Sequence, residues 1–154
     1  MTTHTLETAG ASIVYDVRGP LPTADGRPPL MMIGQPMDAS GFGALASHFT
    51  DRTVVTYDPR GLGRSTRSDG RTDNTPEVQA EDVHAVIEAL GAGPVELFAS
   101  SGGAVTALAL VTAHPDDVVT LVAHELSESS GSSRVPSSSA GIPKAAGSGA
   151  GWAK

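Results

Sequence analysis

Short strand-like runs alternate with segments of helical character through most of the chain. The strand-like runs are residues 5–9, 12–17, 29–33, 53–57, 95–99 and 118–123. Helical patterns lie between several of them, at residues 42–49, 75–90 and 102–113. Strands that alternate with helices build a mostly parallel sheet with helices on both faces. The pattern therefore predicts an α/β fold.

The second helical segment carries its own start and stop signals. Thr75 supplies a hydroxyl cap, and Pro76 follows at the first helical position, where its missing N–H leaves no hydrogen bond unmade. Gly91 is typical of a helix end. The apolar residues between these signals recur at i, i+3, i+4 and i+7, namely Val83, Val86, Ile87 and Leu90. We therefore predict an amphipathic helix here.

The alternating pattern stops after residue 125, and the composition changes at the same point. Residues 1–125 contain 16 acidic residues and seven arginines, a net charge of −9, whereas residues 126–154 have a net charge of +2. Of these last 29 residues, 21 are Ser, Gly, Ala or Pro. A segment of this composition cannot bury enough apolar surface to offset its ordering entropy. We expect a partial α/β domain at residues 1–125 and a disordered tail at residues 126–154.

The composition also narrows the classes of function. The formal net charge of −7 argues against nucleic acid or an anionic membrane surface as a partner. The absence of cysteine excludes disulfides, thiolate metal ligands and a thiol nucleophile. The apolar runs are shorter than the roughly 20 residues of a membrane helix, and residues 1–10 lack the pattern of a secretory signal. We expect a soluble, cytoplasmic protein with no membrane partner.

The clearest chemical signal lies at the junction of the run at 95–99 with the helical segment at 102–113. The sequence Ala-Ser-Ser-Gly-Gly at 99–103 fits the pattern small-x-Ser-x-small around Ser101. A sharp strand-to-helix turn of this kind presents a serine at the carboxyl edge of the sheet and requires small residues two positions away on each side. Two other interpretations stay open. The serine could cap the helix, or the helix start could bind phosphate, although the P-loop lysine is missing.

Two further motifs accompany this turn, in order along the chain. Ile-Gly-Gln-Pro at 33–36 ends the third strand-like run, and Asp-Pro-Arg-Gly-Leu-Gly-Arg-Ser at 58–65 follows the fourth. Together with Ser101, they resemble the oxyanion loop, the Asp-x-Arg-Gly-x-Gly-x-Ser turn and the nucleophile turn of the α/β-hydrolase family. The resemblance covers most of residues 12–125. It implies an α/β-hydrolase-like sheet, with helices on both faces, that is truncated after about the sixth strand.

The resemblance implies roles for three residues. Ser101 would be the nucleophile that forms an acyl-enzyme, and the backbone N–H groups of Gln35 and Gly102 would form the oxyanion hole. A serine here implies an esterase-like hydrolase that acts on an ester or related acyl bond of a small-molecule substrate. The dehalogenase and epoxide-hydrolase branches use a carboxylate instead. Two positions depart from the family pattern, because Ile33 replaces the usual histidine and Ala99 the usual glycine.

The largest departure concerns the groups that should activate Ser101. The family order is serine, then acid, then histidine, and the acid and histidine follow later strands. No counterpart of those strands is recognisable after residue 125. His124 and Glu125, at the end of the last strand-like run, are the available substitutes for base and acid. We therefore expect impaired activity, and the alternative is a non-catalytic α/β binding module or pseudoenzyme.

The remaining titratable groups and the last strand-like run lead to three smaller predictions. The other histidines are expected to be structural or solvated, at positions 4, 48, 84 and 114. No pair of histidines or carboxylates shows metal-ligand spacing on one face, so we expect no metal site, and no motif indicates an organic cofactor. The apolar run at 118–123 would form an unpaired sheet edge, which predicts self-association.

Overall fold

The strand-like runs of the sequence form one sheet in the computed structural model, which describes residues 1–124. The strands are β1 (Thr2–Thr8), β2 (Ala11–Arg18), β3 (Leu30–Gln35), β4 (Val54–Tyr57), β5 (Thr66–Arg67), β6 (Val95–Ser101) and β7 (Val118–His124). The main path of the sheet runs β1-β2-β4-β3-β6-β7, and β5 pairs with β2 outside this path. The sequence pattern missed only β5, because two residues are too few to show a period.

Strand direction divides the sheet into two parts. β2 pairs antiparallel with β1 and with β4, and Gly10 allows the tight turn between β1 and β2 because it adopts a positive φ of 82°. β3 pairs parallel with β4 and with β6, and β7 pairs parallel with β6. The predicted α/β class with a mostly parallel sheet is confirmed. Because parallel strands end at the same edge, the segments that follow β3, β4 and β6 meet there.

Residues 1–124 contain three α-helices and two short 3-10 turns. The helices are α1 (Gly43–Ala46), α2 (Pro76–Leu90) and α3 (Gly102–Ala113), and the 3-10 turns are Ala39–Phe42 and Pro115–Asp117. α2 begins and ends as predicted, since Thr75 Oγ1 accepts a hydrogen bond from the Val78 amide at 3.2 Å and Gly91 adopts a φ of 65°. None of these helices combines the length and apolar character required to cross a membrane.

The helix predicted at residues 42–49 is much shorter than expected. The segment divides into the 3-10 turn Ala39–Phe42 and the single turn of α1. Asp38 caps the first of these turns by accepting a hydrogen bond from the Ser40 amide at 3.0 Å. Gly41 and Gly43 lie in the two turns, and glycine disfavours continuation of a helix. The prediction of one continuous helix over residues 42–49 was therefore wrong.

Helices cover the two faces of the sheet unequally. α2 and α3 pack on one face, over the larger buried apolar cluster, which includes Ile13, Met31, Val55, Val83, Leu97 and Leu110. α1 covers part of the other face, over a smaller cluster formed by Leu30, Met32, Phe42, Ala46 and Val54. An apolar hollow of about 330 Å³ stays open on this second face, and its lining includes Phe49, Phe98 and Val122.

β7 is the last strand of the sheet within the described part of the chain. Its apolar residues Val119 and Val122 are 54% and 55% exposed, respectively. The strand therefore presents the apolar edge that the sequence predicted. Glu125 and the tail predicted at residues 126–154 lie outside the described residues.

Candidate active site

Ser101 lies where β6 meets α3, in a backbone conformation that residues with a side chain rarely adopt. With φ of 58° and ψ of −129°, it is the only non-glycine residue of positive φ in residues 1–124. Such a conformation costs energy and persists where the surrounding structure enforces it. The sharp strand-to-helix turn predicted from the sequence is thus present. Its tip is Ser101 rather than Ser100, which still belongs to the regular pairing of β6 with β7.

Close backbone contacts explain why small residues surround Ser101. A Cβ atom at Gly103 would lie 2.7 Å from the carbonyl oxygen of Ile33. A Cβ atom at Gly102 would lie 2.7 Å from the carbonyl oxygen of Gln35. Both distances are shorter than real Cβ contacts. The first turn of α3 therefore approaches the end of β3 so closely that only glycine fits at these two positions.

The Ser101 side chain does not cap the helix that it precedes. Ser101 occupies the N-cap position of α3, but its hydroxyl makes no capping hydrogen bond. The helix-cap interpretation of this serine is therefore not supported by the structure. Ser101 is partly exposed, and it lies at the carboxyl edge of the sheet.

Gln35 and Gly102 lie on either side of the backbone that carries Ser101. Gln35 is the parallel-register partner of Ser101 across β3 and β6. Gly102 begins α3, where the first backbone N–H groups have no acceptor within the helix and the helix dipole favours negative charge. The side-chain Oε1 of Gln35 is buried and has no hydrogen-bond partner among the described residues. The structure thus brings together Ser101, Gln35 and Gly102, the three residues for which the family resemblance implies the roles of nucleophile and oxyanion hole.

Asp58, at the carboxyl end of β4, connects this site to the neighbouring turn. Its carboxylate accepts hydrogen bonds from the Ala39 amide at 2.9 Å and from the Arg64 amide and Nε at 2.7 and 2.8 Å. Burial raises the pKa of Asp58, but the hydrogen bonds from Arg64 and Ala39 outweigh burial and hold the pKa below its ordinary value. Gly63 adopts a φ of 51°, and a Cβ there would lie 2.6 Å from the same carboxylate. Asp58 therefore holds the loop after β3 against the turn at residues 58–65.

The other polar residues of that turn are also structural. Arg60 donates to both carboxylate oxygens of Asp82 on α2, through Nε at 2.7 Å and Nη2 at 2.8 Å. Ser65 Oγ donates to the Asp58 carbonyl at 2.7 Å and accepts a hydrogen bond from the Val14 amide at 2.8 Å. The sequence identified this motif by resemblance but not its partners, because Asp82 and Val14 lie far away along the chain. The motif fixes the positions of loops and strands around the site.

His124, the predicted substitute base, ends β7 beside the turn that carries the candidate nucleophile. It is paired in register with Ser100, one residue before Ser101. Its side chain is exposed. The histidine side chains that form hydrogen bonds in residues 1–124 contact Thr2, Asp117 and Glu81, so none of these bonds reaches Ser101. The predicted substitute acid, Glu125, lies outside the described residues.

Comparison with known proteins shows the family to which the chain belongs. The sequence profile of the alpha/beta hydrolase fold family matches residues 37–147. The chain therefore belongs to the alpha/beta hydrolase fold family, as the three sequence motifs indicated.

Individual relatives match over most of this chain but over less than half of their own length. The uncharacterized hydrolase YraK of Bacillus subtilis is 36% identical over 122 residues, which are 79% of this chain and 43% of YraK. A proline iminopeptidase of Xylella fastidiosa is 32% identical over 98 residues, 63% of this chain and 31% of that protein. The crystal structure of an alpha/beta hydrolase from Sphaerobacter thermophilus has a TM-score of 0.64 and 26% identity, covering 78% of this chain and 44% of that one.

Proposed function

We propose that this chain carries the nucleophile of a serine hydrolase that cleaves an ester or related acyl bond of a small molecule. Ser101 Oγ attacks the acyl carbonyl carbon, and a base accepts the hydroxyl proton. The backbone N–H groups of Gln35 and Gly102 donate hydrogen bonds to the oxygen that becomes negatively charged. Expulsion of the alcohol, which takes up a proton, leaves the acyl group on Ser101. Water then releases the acid and restores the serine.

The backbone conformation of Ser101 is the observation that carries this proposal. A positive φ at a residue with a side chain requires a reason, and in this turn it projects the hydroxyl from the carboxyl edge of the sheet. The hydroxyl is not used as a helix cap, so it is available for reaction. The close approach of the Gly102 backbone to Gln35 supports the assignment, because the two residues proposed as donors are neighbours.

No histidine of residues 1–124 forms a hydrogen bond to Ser101, so the base that accepts the Ser101 proton is the least well-defined part of the site. A serine hydroxyl is a poor nucleophile without a base, and the base requires an orienting carboxylate. His124 is a candidate because it ends the strand next to β6, with Glu125 as the adjacent acid. Its exposed side chain supports slow rather than efficient hydrolysis by this chain. The same observation favours a second candidate function, a non-catalytic module that binds a ligand at this edge of the sheet.

Hydrolysis of p-nitrophenyl acetate by the purified 154-residue chain tests the proposal. Ser101→Ala removes the nucleophile, and Ser100→Ala is the matched control because it removes a neighbouring hydroxyl that lies in the regular strand. We expect slow turnover in the wild type and in Ser100→Ala, and none above background in Ser101→Ala. Equal rates in all three proteins, each shown to be folded by circular dichroism, would support the non-catalytic module instead.

A further inference from the structure

Two histidines and an aspartate meet at the edge of the sheet opposite to Ser101. His84 lies on α2, His114 follows the last residue of α3, and Asp117 ends the 3-10 turn before β7. Because β6 and β7 are parallel, the start of β7 and the end of β6 lie at opposite edges. This histidine cluster is therefore separate from the candidate active site. The three residues lie on different elements, which explains why their spacing in the sequence gave no indication of a site.

The side chains of the histidine cluster are in close contact. The imidazole rings of His84 and His114 are stacked, with centroids 3.6 Å apart and planes within 4°. His84 Nδ1 lies 2.7 Å from Asp117 Oδ2, and His114 Nε2 lies 2.9 Å from Glu81 Oε2. One ligating atom from each of His84, His114 and Asp117 lies within 4.8 Å of the other two. Asp117 is buried, whereas both histidine side chains are 27% exposed, so an ion can reach the cluster from solvent.

We propose that His84, His114 and Asp117 bind a divalent transition-metal ion, and that zinc fits best. Zinc binds imidazole nitrogen and carboxylate oxygen at about 2.0–2.2 Å in tetrahedral geometry, which places two of its ligands about 3.4 Å apart. The ligating atoms lie within 4.8 Å of one another, so the proposed site requires rotation of the partly exposed histidine side chains. The ion displaces the proton between His84 and Asp117 and separates the stacked rings. Water completes the coordination.

The carboxylates of the cluster and its neighbour suit a divalent cation. Two neutral imidazoles with the carboxylates of Asp117 and Glu81 carry two negative charges, which match one divalent ion.

A metal ion at this position connects two parts of the fold. His84 belongs to α2, whereas His114 and Asp117 belong to the connection between α3 and the edge strand β7. An ion that binds only the folded chain stabilises it in proportion to the logarithm of its concentration over the dissociation constant. The proposed site is therefore structural, and its occupation is measured by stability rather than by hydrolysis.

Thermal unfolding of the full chain with and without metal tests the site. The protein is treated with EDTA, dialysed, and unfolded alone or with ZnCl₂ at about ten times the dissociation constant measured by titration. We expect Tm to rise by about 3–6 °C with zinc. Cobalt(II) is the second probe, because its visible absorption intensifies when nitrogen and oxygen ligands hold it in tetrahedral geometry. No Tm rise with zinc and no intensified cobalt absorption would overturn the proposal.

Paired histidine variants show whether the rise of Tm with zinc, called the zinc response below, comes from this cluster. His84→Ala/His114→Ala should lower zinc affinity by more than about 100-fold, because it removes two of the three ligands. His4→Ala/His48→Ala is the matched control and should retain the wild-type response. Asp117→Asn keeps the shape of the side chain and tests the site even if His84→Ala/His114→Ala does not fold. We expect it to lower zinc affinity by at least about tenfold. An unchanged response in Asp117→Asn, or loss of the response in the control pair, would contradict the assignment.

Discussion

Gln35 and Ser101 are direct neighbours at the ends of two parallel strands, since they form the last register pair of β3 and β6. Gly102, the residue after Ser101, also packs closely against Gln35, because a Cβ at Gly102 would lie 2.7 Å from the Gln35 carbonyl oxygen. The loop after β3 and the turn that carries Ser101 are therefore held together by backbone packing. Substitutions that disturb this packing should affect stability and site geometry together.

Gly103→Ala should destabilise the chain by about 1–3 kcal/mol, because the added methyl group would meet the Ile33 carbonyl at 2.7 Å. Gly43→Ala is the matched control. Gly43 has a helical φ of −56° and open space around the position of a Cβ, so alanine should be neutral or stabilising by up to about 1 kcal/mol. Urea denaturation followed by circular dichroism measures both. Equal stabilities of the two variants would show that the close approach of α3 to β3 is not a constraint.

Asp58→Ala should lower the free energy of unfolding by about 2–4 kcal/mol. The substitution leaves the buried Ala39 amide without its acceptor, and it removes three hydrogen-bond contacts from Arg64, whose side chain is 45% exposed; Asp58 itself is 2% exposed. Asp73→Ala serves for comparison, because its ion pair with Arg71 is exposed and should contribute less than about 0.5 kcal/mol. If chemical denaturation shows a similar loss of unfolding free energy in both variants, the hydrogen bonds of Asp58 do not stabilise the fold more than an exposed ion pair does.

Stability should fall in acid as Asp16 and Asp58 become protonated. Burial raises the pKa of both carboxyls, but hydrogen bonds, those from Arg64 above all, hold each pKa below its ordinary value in the folded chain. Their contribution is therefore fully present above the unfolded pKa of about 3.9 and is lost as the pH falls through the lower folded pKa. Denaturation curves measured from pH 5 to pH 2 should be less pH-dependent for Asp16→Asn/Asp58→Asn. If the unfolding free energy depends on pH identically in the wild type and the variant, protonation of Asp16 and Asp58 is not the cause of the loss of stability in acid.

The local features of the fold could be predicted from the sequence because adjacent residues encode them. The caps of α2 at Thr75 and Gly91 and the strand runs depend on local patterns, and the structure confirms them. The segment at 42–49 was the exception, because its apolar residues suggested a helix while Gly41 and Gly43 shortened it. Strand order and the two-residue strand β5 depend on contacts between distant segments, so the pattern alone could not provide them.

The candidate site was predictable at the backbone level and less so at the side-chain level. The small residues around Ser101 pointed to a sharp turn, which the structure contains. The partners of the turn at 58–65 and the histidine cluster could not be found, since each joins elements that are remote in the sequence. Side chains that meet only through tertiary packing leave no periodic signal.

Self-association should depend on the apolar edge strand β7. Val119→Lys/Val122→Lys introduces charges on a strand where both valines are more than half exposed. We expect the wild-type chain to associate with increasing concentration and this variant to stay monomeric, as measured by sedimentation velocity. Thr5→Lys, on the polar edge strand β1, should behave as the wild type. A monomeric wild type at high concentration would show that β7 is not an association surface.

Covalent labelling of the full chain tests the central claim, that Ser101 is the nucleophile, most directly. A fluorophosphonate reacts with an activated serine, and intact-mass spectrometry counts the adducts after prolonged incubation. We expect one adduct on the wild type and on Ser100→Ala, and none on Ser101→Ala. An adduct that persists in folded Ser101→Ala, or a folded wild type that stays unlabelled, would contradict it.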